Sequence, residues 1–170
     1  MIIGLDKLEA KLNDISVQDL ERPTVQAILL VQADAKSNVS VDSGELRESI
    51  YTDTTVHGDR VEAVCFTNKE WAQYVEFGTG PVGRAEHAGI SPEAAVAYTQ
   101  QPWWIHESQV DRETAEKYHW VAIETKDGIF YQCSGQPARP YLYPAMKNNA
   151  DNIRDIFESH LTEVIRRNTR

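Results

Sequence analysis

Trp120-Val121-Ala122-Ile123-Glu124-Thr125-Lys126-Asp127-Gly128-Ile129-Phe130-Tyr131-Gln132-Cys133 decides the fold class of this 170-residue chain. Asp127-Gly128 separates two runs rich in aromatic and β-branched residues, and Asp-Gly tolerates the positive backbone angles of a tight hairpin turn. Residues 120–125 and 129–133 therefore read as antiparallel strands. A second hairpin is expected from residues 50–56 and 61–66, turning through Val56-His57-Gly58-Asp59.

Helical patterns surround the two hairpins. Leu5, Leu8, Leu12 and Ile15 recur at helical spacing. Ser16 followed by Asp19 marks a second helix start with an acid in its first turn, and this helix runs to about Lys36. Pro23 is expected to begin that helix or kink it. The broad apolar face from Ala27 to Ala35 predicts burial against a sheet. Asp42-Ser43-Gly44 is turn chemistry, and residues 45–50 fit one helical turn. Residues 71–77 form a short helix closed by Gly78, and Gly78-Thr79-Gly80-Pro81-Val82-Gly83 reads as a helix stop and hinge. Short helices are expected over 92–101, capped by Ser91, and over 111–119. Pro144 begins a long C-terminal helix through Met146, Ala150, Ile153, Ile156, Phe157, Leu161, Val164 and Ile165. Arg166, Arg167 and Arg170 suit the negative end of its dipole. The expectation is one α+β domain over 1–170, an antiparallel sheet of hairpins packed by N-terminal helices and a long C-terminal helix. An irregular inserted arm covers about 81–119.

Composition narrows the function. Apolar residues make up 41% and charged residues 25%, which is ordinary for a globular chain. The net charge of -9 argues against a nucleic-acid-binding module, whose affinity comes from Lys and Arg neutralising phosphates. DNA as a passing cargo remains compatible, because an acidic wall repels the duplex and lets it slide. No apolar run approaches the roughly 18 residues of a membrane helix, and no signal peptide is visible, so synthesis in the cytoplasm is expected. Cys65 and Cys133 lack metal-ligand spacing and read as buried thiols.

Catalytic patterns are weak. Ser43 and Ser134 each precede a glycine but lack the frame of a nucleophile elbow. Glu116-Lys117-Tyr118-His119 is a single Glu-x-x-His where a di-metal site wants two. His87, His106 and His119 leave a zinc cluster within the arm as the alternative, a small metal-dependent enzyme. The glycine run at 78–83 lacks the Gly-Lys-Ser/Thr ending of a phosphate loop. No catalytic, metal or cofactor residue is assigned. Trp103 and Trp104 are adjacent and cannot readily face one core, so at least one of them is an interface candidate. Arg139 and Pro140 sit in a proline-stiffened segment suited to a sheet edge or a neighbour's groove. Glu76 pairs either with Arg139 or across a subunit boundary.

Four segments carry a family resemblance. Gly4-Leu5-Asp6-Lys7-Leu8 is a family-like opening. Asp42-Ser43-Gly44-Glu45-Leu46-Arg47-Glu48-Ser49-Ile50 follows an Asp-Thr-Gly-x-Leu-x-x-Ser-Ile pattern, with Ser43 for threonine. Tyr74-Val75-Glu76-Phe77-Gly78-Thr79 matches a Tyr-Val-Glu-Phe-Gly-Thr signature. Pro137-Ala138-Arg139-Pro140-Tyr141-Leu142 follows Pro-x-Arg-Pro-Phe-Leu, with tyrosine for phenylalanine. Together they resemble the head–tail joining proteins of long-tailed bacteriophages, the family of gene product ten of the Hong Kong phage ninety-seven. The resemblance implies a non-enzymatic virion protein of the neck or tail end. Such proteins form rings, usually of six or twelve copies, around the DNA channel. Their partners are connector or head-completion proteins and tail-tube or tail-terminator proteins. On this reading Glu76, Phe77, Arg139, Pro140, Tyr141, Trp103 and Trp104 are the interface candidates, and the arm contacts an adjacent ring or the tail tube.

Overall fold

The computed structural model describes residues 16–40 and 44–167. In chain order its elements are α1 (Val17–Asn38), α2 (Glu45–Glu48), β1 (Ile50–His57), β2 (Arg60–Thr67), α3 (Ala72–Phe77), α4 (Gly80–Ala85), β3 (Trp103–His106), α5 (Arg112–Lys117), β4 (Val121–Thr125), β5 (Gly128–Cys133), α6 (Leu142–Asn148) and α7 (Ala150–Arg167). The class is α+β, and the strands form two separate antiparallel sheets, β1-β2 and β3-β5-β4. The helix expected over 5–15 and the Asp42-Ser43 turn lie outside the described residues.

Two compact units divide the chain. One comprises residues up to Lys69 together with those from Tyr141 onward, and the other is Glu70–Pro140. In the first unit, Ser16 sets where α1 begins. Its hydroxyl accepts from the Asp19 N–H at 3.3 Å, and the Asp19 carboxylate accepts from the Ser16 N–H at 3.0 Å. This reciprocal capping box satisfies two of the donors that a helix start leaves without partners. The helix thus starts at this cap and not at Pro23, which lies buried in its interior. One turn along, the Thr24 hydroxyl donates to the Leu20 carbonyl at 2.6 Å.

Helix α1 packs on the β1-β2 hairpin and on α6 and α7. Ala27, Ile28, Val31 and Ala35, at helical spacing, are buried with Ile50, Tyr141, Ala145 and Val164. The Gln32 amide donates to the Ile50 carbonyl at 2.8 Å, anchoring the start of β1 to the helix. The hairpin pairs from Ile50↔Thr67 to His57↔Arg60. Strand alternation turns Thr52, Ala63 and Cys65 inward and leaves Tyr51, Val64 and Phe66 on an exposed outer face.

The single C-terminal helix expected from Pro144 is divided in two. Helix α6 begins at Leu142, so Pro144 stands in its first turn, where the missing N–H costs nothing. The division falls at Asn149, a buried polar residue. Its side-chain amide donates to the Ala145 carbonyl at 2.9 Å and also to the Asp34 carboxylate. A side chain thus takes the acceptor that a continuing helix would give to the backbone. At the far end of α7, Arg167 pairs with Asp19 at 2.9 Å. Arg167 is largely exposed, so water screens this pair and it adds little to stability.

In the second unit, β5 is the central strand. It pairs with β4 from Val121↔Gln132 to Thr125↔Gly128 around the expected turn, and with β3 from Trp103↔Cys133 to His106↔Phe130. The arm is therefore not wholly irregular, since β3 lies within it. The helix expected over 92–101 is absent from that span, which is turn and extended backbone. The Tyr98 hydroxyl donates to the Phe77 carbonyl at 2.8 Å, and the Gln100 side chain meets Arg84. These ties outweigh helix propensity in a segment too short to hold a helix alone. Helix α5 forms as expected, with Asp111 accepting from the Thr114 N–H at 2.7 Å.

Three predictions concern the first unit. Removing the cap with Ser16→Ala should cost about 1 kcal/mol in urea unfolding. The Ser16 hydroxyl and amide hold the Asp19 carboxyl below its ordinary 3.8, with Arg167 adding to the effect. A depressed carboxylate stabilises fully above its unfolded value and loses that contribution as pH falls through its folded value. Wild type should therefore lose stability below about pH 4 more steeply than Asp19→Asn. Separately, Ile50→Ala should cost about 2–5 kcal/mol by urea unfolding, because the side chain is fully buried.

Candidate functional site

Two of the segments singled out by sequence are stitched together in the second unit. Helix α3 ends at Gly78, whose φ of 74° continues no helix. The chain then crosses the segment that follows β5. The Thr79 N–H donates to the Gln136 carbonyl at 2.9 Å, and the Gln136 N–H returns a bond to the Thr79 carbonyl at 3.2 Å. The Val82 N–H reaches the Ser134 carbonyl at 3.1 Å, the Ala138 N–H the Glu86 carbonyl at 2.8 Å, and the Arg139 N–H the Val75 carbonyl at 2.8 Å. The Gln136 side chain adds a bond to the Tyr74 carbonyl at 2.7 Å. Backbones this close leave no room for side chains. A Cβ on Gly135 would lie 1.9 Å from the Thr79 carbonyl oxygen, and one on Gly83 would lie 2.7 Å from the Gly78 carbonyl carbon. Gly78 stops α3 as expected, and in place of a hinge the chain forms α4 from Gly80, with Pro81 in its first turn and Gly80 and Gly83 buried.

Beside this junction lies a cleft of about 840 Å³. One wall is Gln73, Tyr74 and Phe77 of α3, and the other is Ala94–Ala97 with Trp103. No acid, base or thiol lines it. It offers aromatic and methyl surface with amide and hydroxyl groups, which suits an apolar side chain.

The predicted interface residues separate. Phe77 and Trp103 line the cleft. Trp104 points the opposite way along β3 and is 44% exposed, so the adjacent tryptophans divide as their adjacency required. Arg139 is exposed and Pro140 half-buried. Glu76 and Tyr141 are buried, at 5% and 1% exposure, and both serve the interior of the fold. What ties Arg139 to α3 is its backbone N–H on Val75.

The other titratable groups are dispersed. His87 stacks on Tyr98, His106 bonds Ser108 and the Asp127 carbonyl, and Glu116 accepts from Arg112. Among the described residues no three His, Cys, Asp or Glu side chains gather to hold a metal ion. Burial pushes the Cys65 and Cys133 thiols up, which keeps them protonated at neutral pH. No described helix is long and apolar enough to cross a membrane. Sequence reasoning missed β3 and the Ala94–Ala97 wall. Trp103-Trp104-Ile105-His106, a short aromatic and β-branched run after Pro102, was the available signal for the strand.

A glycine-locked junction and an uncharged, largely apolar cleft thus lie side by side in the second unit. Residues 4–78 match the family described as "Bacteriophage HK97-gp10, putative tail-component". Over that stretch, which ends on the glycine closing α3, the chain is similar to that family. No curated protein and no solved structure matches it.

One prediction follows from the packing. Gly83→Ala keeps an allowed φ but drives a methyl group into the Gly78 backbone. It should cost about 1–3 kcal/mol, measured as the loss of thermal stability of the full chain.

Proposed function

We propose that this protein is a structural component of the phage neck, a head–tail joining or tail-completion subunit. Copies of it form a ring around the DNA channel, between the connector or head-completion protein and the tail tube or its terminator. The family match over residues 4–78 carries this reading. Three further features support it. The cleft offers aromatic and methyl surface of the kind that receives a partner's apolar side chain. Each sheet exposes apolar side chains on one face, and ring closure covers such surface. The net charge of -9 lets DNA pass without adhering. The site of action is the virion, after assembly in the host cytoplasm.

Native mass spectrometry of the full chain, alone and mixed with connector or tail-tube protein, tests the ring. A six- or twelve-fold species is expected in at least one mixture. Monomer or dimer in every mixture overturns the reading.

A further inference from the structure

Residues 91–101 carry the sequence of a helix and the structure of an irregular strap. Ser91 is a favoured N-cap, Pro92 suits the first helical position, and Ala94, Ala95 and Ala97 are the best of helix formers. The start of that helix is in place. The Ser91 hydroxyl accepts from the Glu93 N–H at 3.3 Å, and the Ser91 carbonyl accepts from the Ala94 N–H at 3.2 Å. Past Ala94 the backbone leaves the helical path and runs to Gln101 without helix or strand.

Three ties hold the strap off that path, all through its far end. The Tyr98 hydroxyl donates to the Phe77 carbonyl at 2.8 Å. That carbonyl is among the last of α3, where a helix leaves its acceptors without partners. The Tyr98 ring stacks on His87 with centroids 6.0 Å apart, and Arg84 of α4 meets the Gln100 side chain. We propose that residues 92–100 are a two-state strap: irregular while Tyr98 is latched to the end of α3, helical once that latch opens. The costly step of a helix is its first turn, and Ser91 has already set it. One hydroxyl bond shifts an equilibrium by only roughly 2- to 10-fold, so the ties set the balance without placing it beyond reversal. Pro102 disfavours helix at Gln101 and fixes the far boundary.

The two states give the cleft two forms, because Ala94–Ala97 is one of its walls. In a helix Ala94, Ala97 and Tyr98 fall at i, i+3 and i+4 on one side. That apolar stripe matches the lining of Tyr74, Phe77 and Trp103, and its burial there supplies the packing that so short a helix lacks alone. The helical strap fills the cleft, and the latched strap leaves it open. The states also differ in reach. A residue advances ~3.3 Å when extended and about 1.5 Å in a helix, so coiling residues 95–100 draws the strap in by up to roughly 10 Å. Trp103 is fixed in β3, so the slack comes from residues 86–90, where Gly89 already stands at a φ of 85°. An occupant of the cleft binds the latched state and shifts the strap by its difference in affinity for the two states.

The test uses the full chain in three forms: wild type, the latch variant Arg84→Ala/His87→Ala/Tyr98→Phe, and that variant with Ala95→Gly and Ala97→Gly added. The latch variant alters one hydroxyl within the strap, and its other two changes fall on exposed side chains. Backbone NMR would read Cα shifts and amide exchange along the second unit. Wild type should show no helical shifts after Ala94. In the latch variant residues 95–99 should take helical shifts and their amides should exchange about tenfold more slowly, with the protection of β5 unchanged. The glycine pair should cancel both effects, since glycine disfavours helix. A strap that keeps its wild-type shifts in the latch variant, or moves to random-coil values, overturns the proposal. Helical shifts that survive the glycine pair, or that wild type already shows, overturn it as well. Should the latch variant lose β5 protection, Tyr98→Phe alone replaces it and must show the same helical shifts. Their absence there, or a second loss of β5 protection, means that the ties only hold the unit together, and overturns the switch.

Discussion

The second unit depends on a place where two backbones meet without side chains between them. Between Tyr74 and Glu86 on one side, and Ser134 and Arg139 on the other, main-chain donors and acceptors pair directly. Such pairing needs backbones within hydrogen-bond distance, and here only glycine fits at 78, 83 and 135. The Tyr-Val-Glu-Phe-Gly-Thr and Pro-Ala-Arg-Pro segments are therefore two halves of one joint. Each looked weak alone because each holds half of the hydrogen bonds. Their chemistry lies in the main chain, which is why a search for nucleophiles and ligands among their side chains finds nothing to assemble.

The first unit is organised differently, around α1. One helix serves two neighbours, the hairpin and the C-terminal helices, and small residues make this workable. Ala27 and Ala35 allow close approach where a larger side chain would hold the layers apart. Gln32 then fixes where β1 begins. Much of this was legible in advance, because helical periodicity, a capping box and two-residue strand alternation are local signals. The two departures, Pro23 inside the helix and the break at Asn149, have separate causes, burial for Pro23 and the bond to Asp34 for Asn149. Burial and a hydrogen bond to a distant partner override what the local residue prefers. Asp34 lies far from Asn149 in the chain, and no local window relates the two.

The arm shows the same limit more sharply. Its alanines favour a helix at 92–101, and nothing nearby opposes one. The opposition comes from the Phe77 carbonyl, which takes the Tyr98 hydroxyl, and from Arg84, which takes Gln100. The segment then stands as a wall of the cleft. Strand β3 was hidden for a related reason: four residues carry little pattern, and their meaning comes from β5, which offers an edge to complete. The hairpin on the other side of β5 was plain because its turn is written in Asp127-Gly128. The interface candidates followed suit. Trp103 and Trp104 were legible as a divided pair, whereas the burial of Glu76 and Tyr141 depends on contacts that spacing does not encode.

Apolar surface and negative charge must be weighed together in such a chain. Exposed aromatic sheet faces favour association, and they do so without selecting a partner. Net charge keeps copies apart in solution, and the placement of carboxylates decides which faces can meet. On the hairpin, Asp53 and Glu62 stand beside the aromatic pair together with Arg60, which pairs with Glu62 at 3.1 Å, and on the other sheet the Glu107 carboxylate lies beside Gly128 and His106. Hydrophobic area supplies the strength of a contact, and the placement of charges of both signs supplies its direction. An assembly subunit needs both, because a face that accepted its own copy would end growth at a dimer, whereas a face that rejects its like and accepts its opposite can continue around a circle.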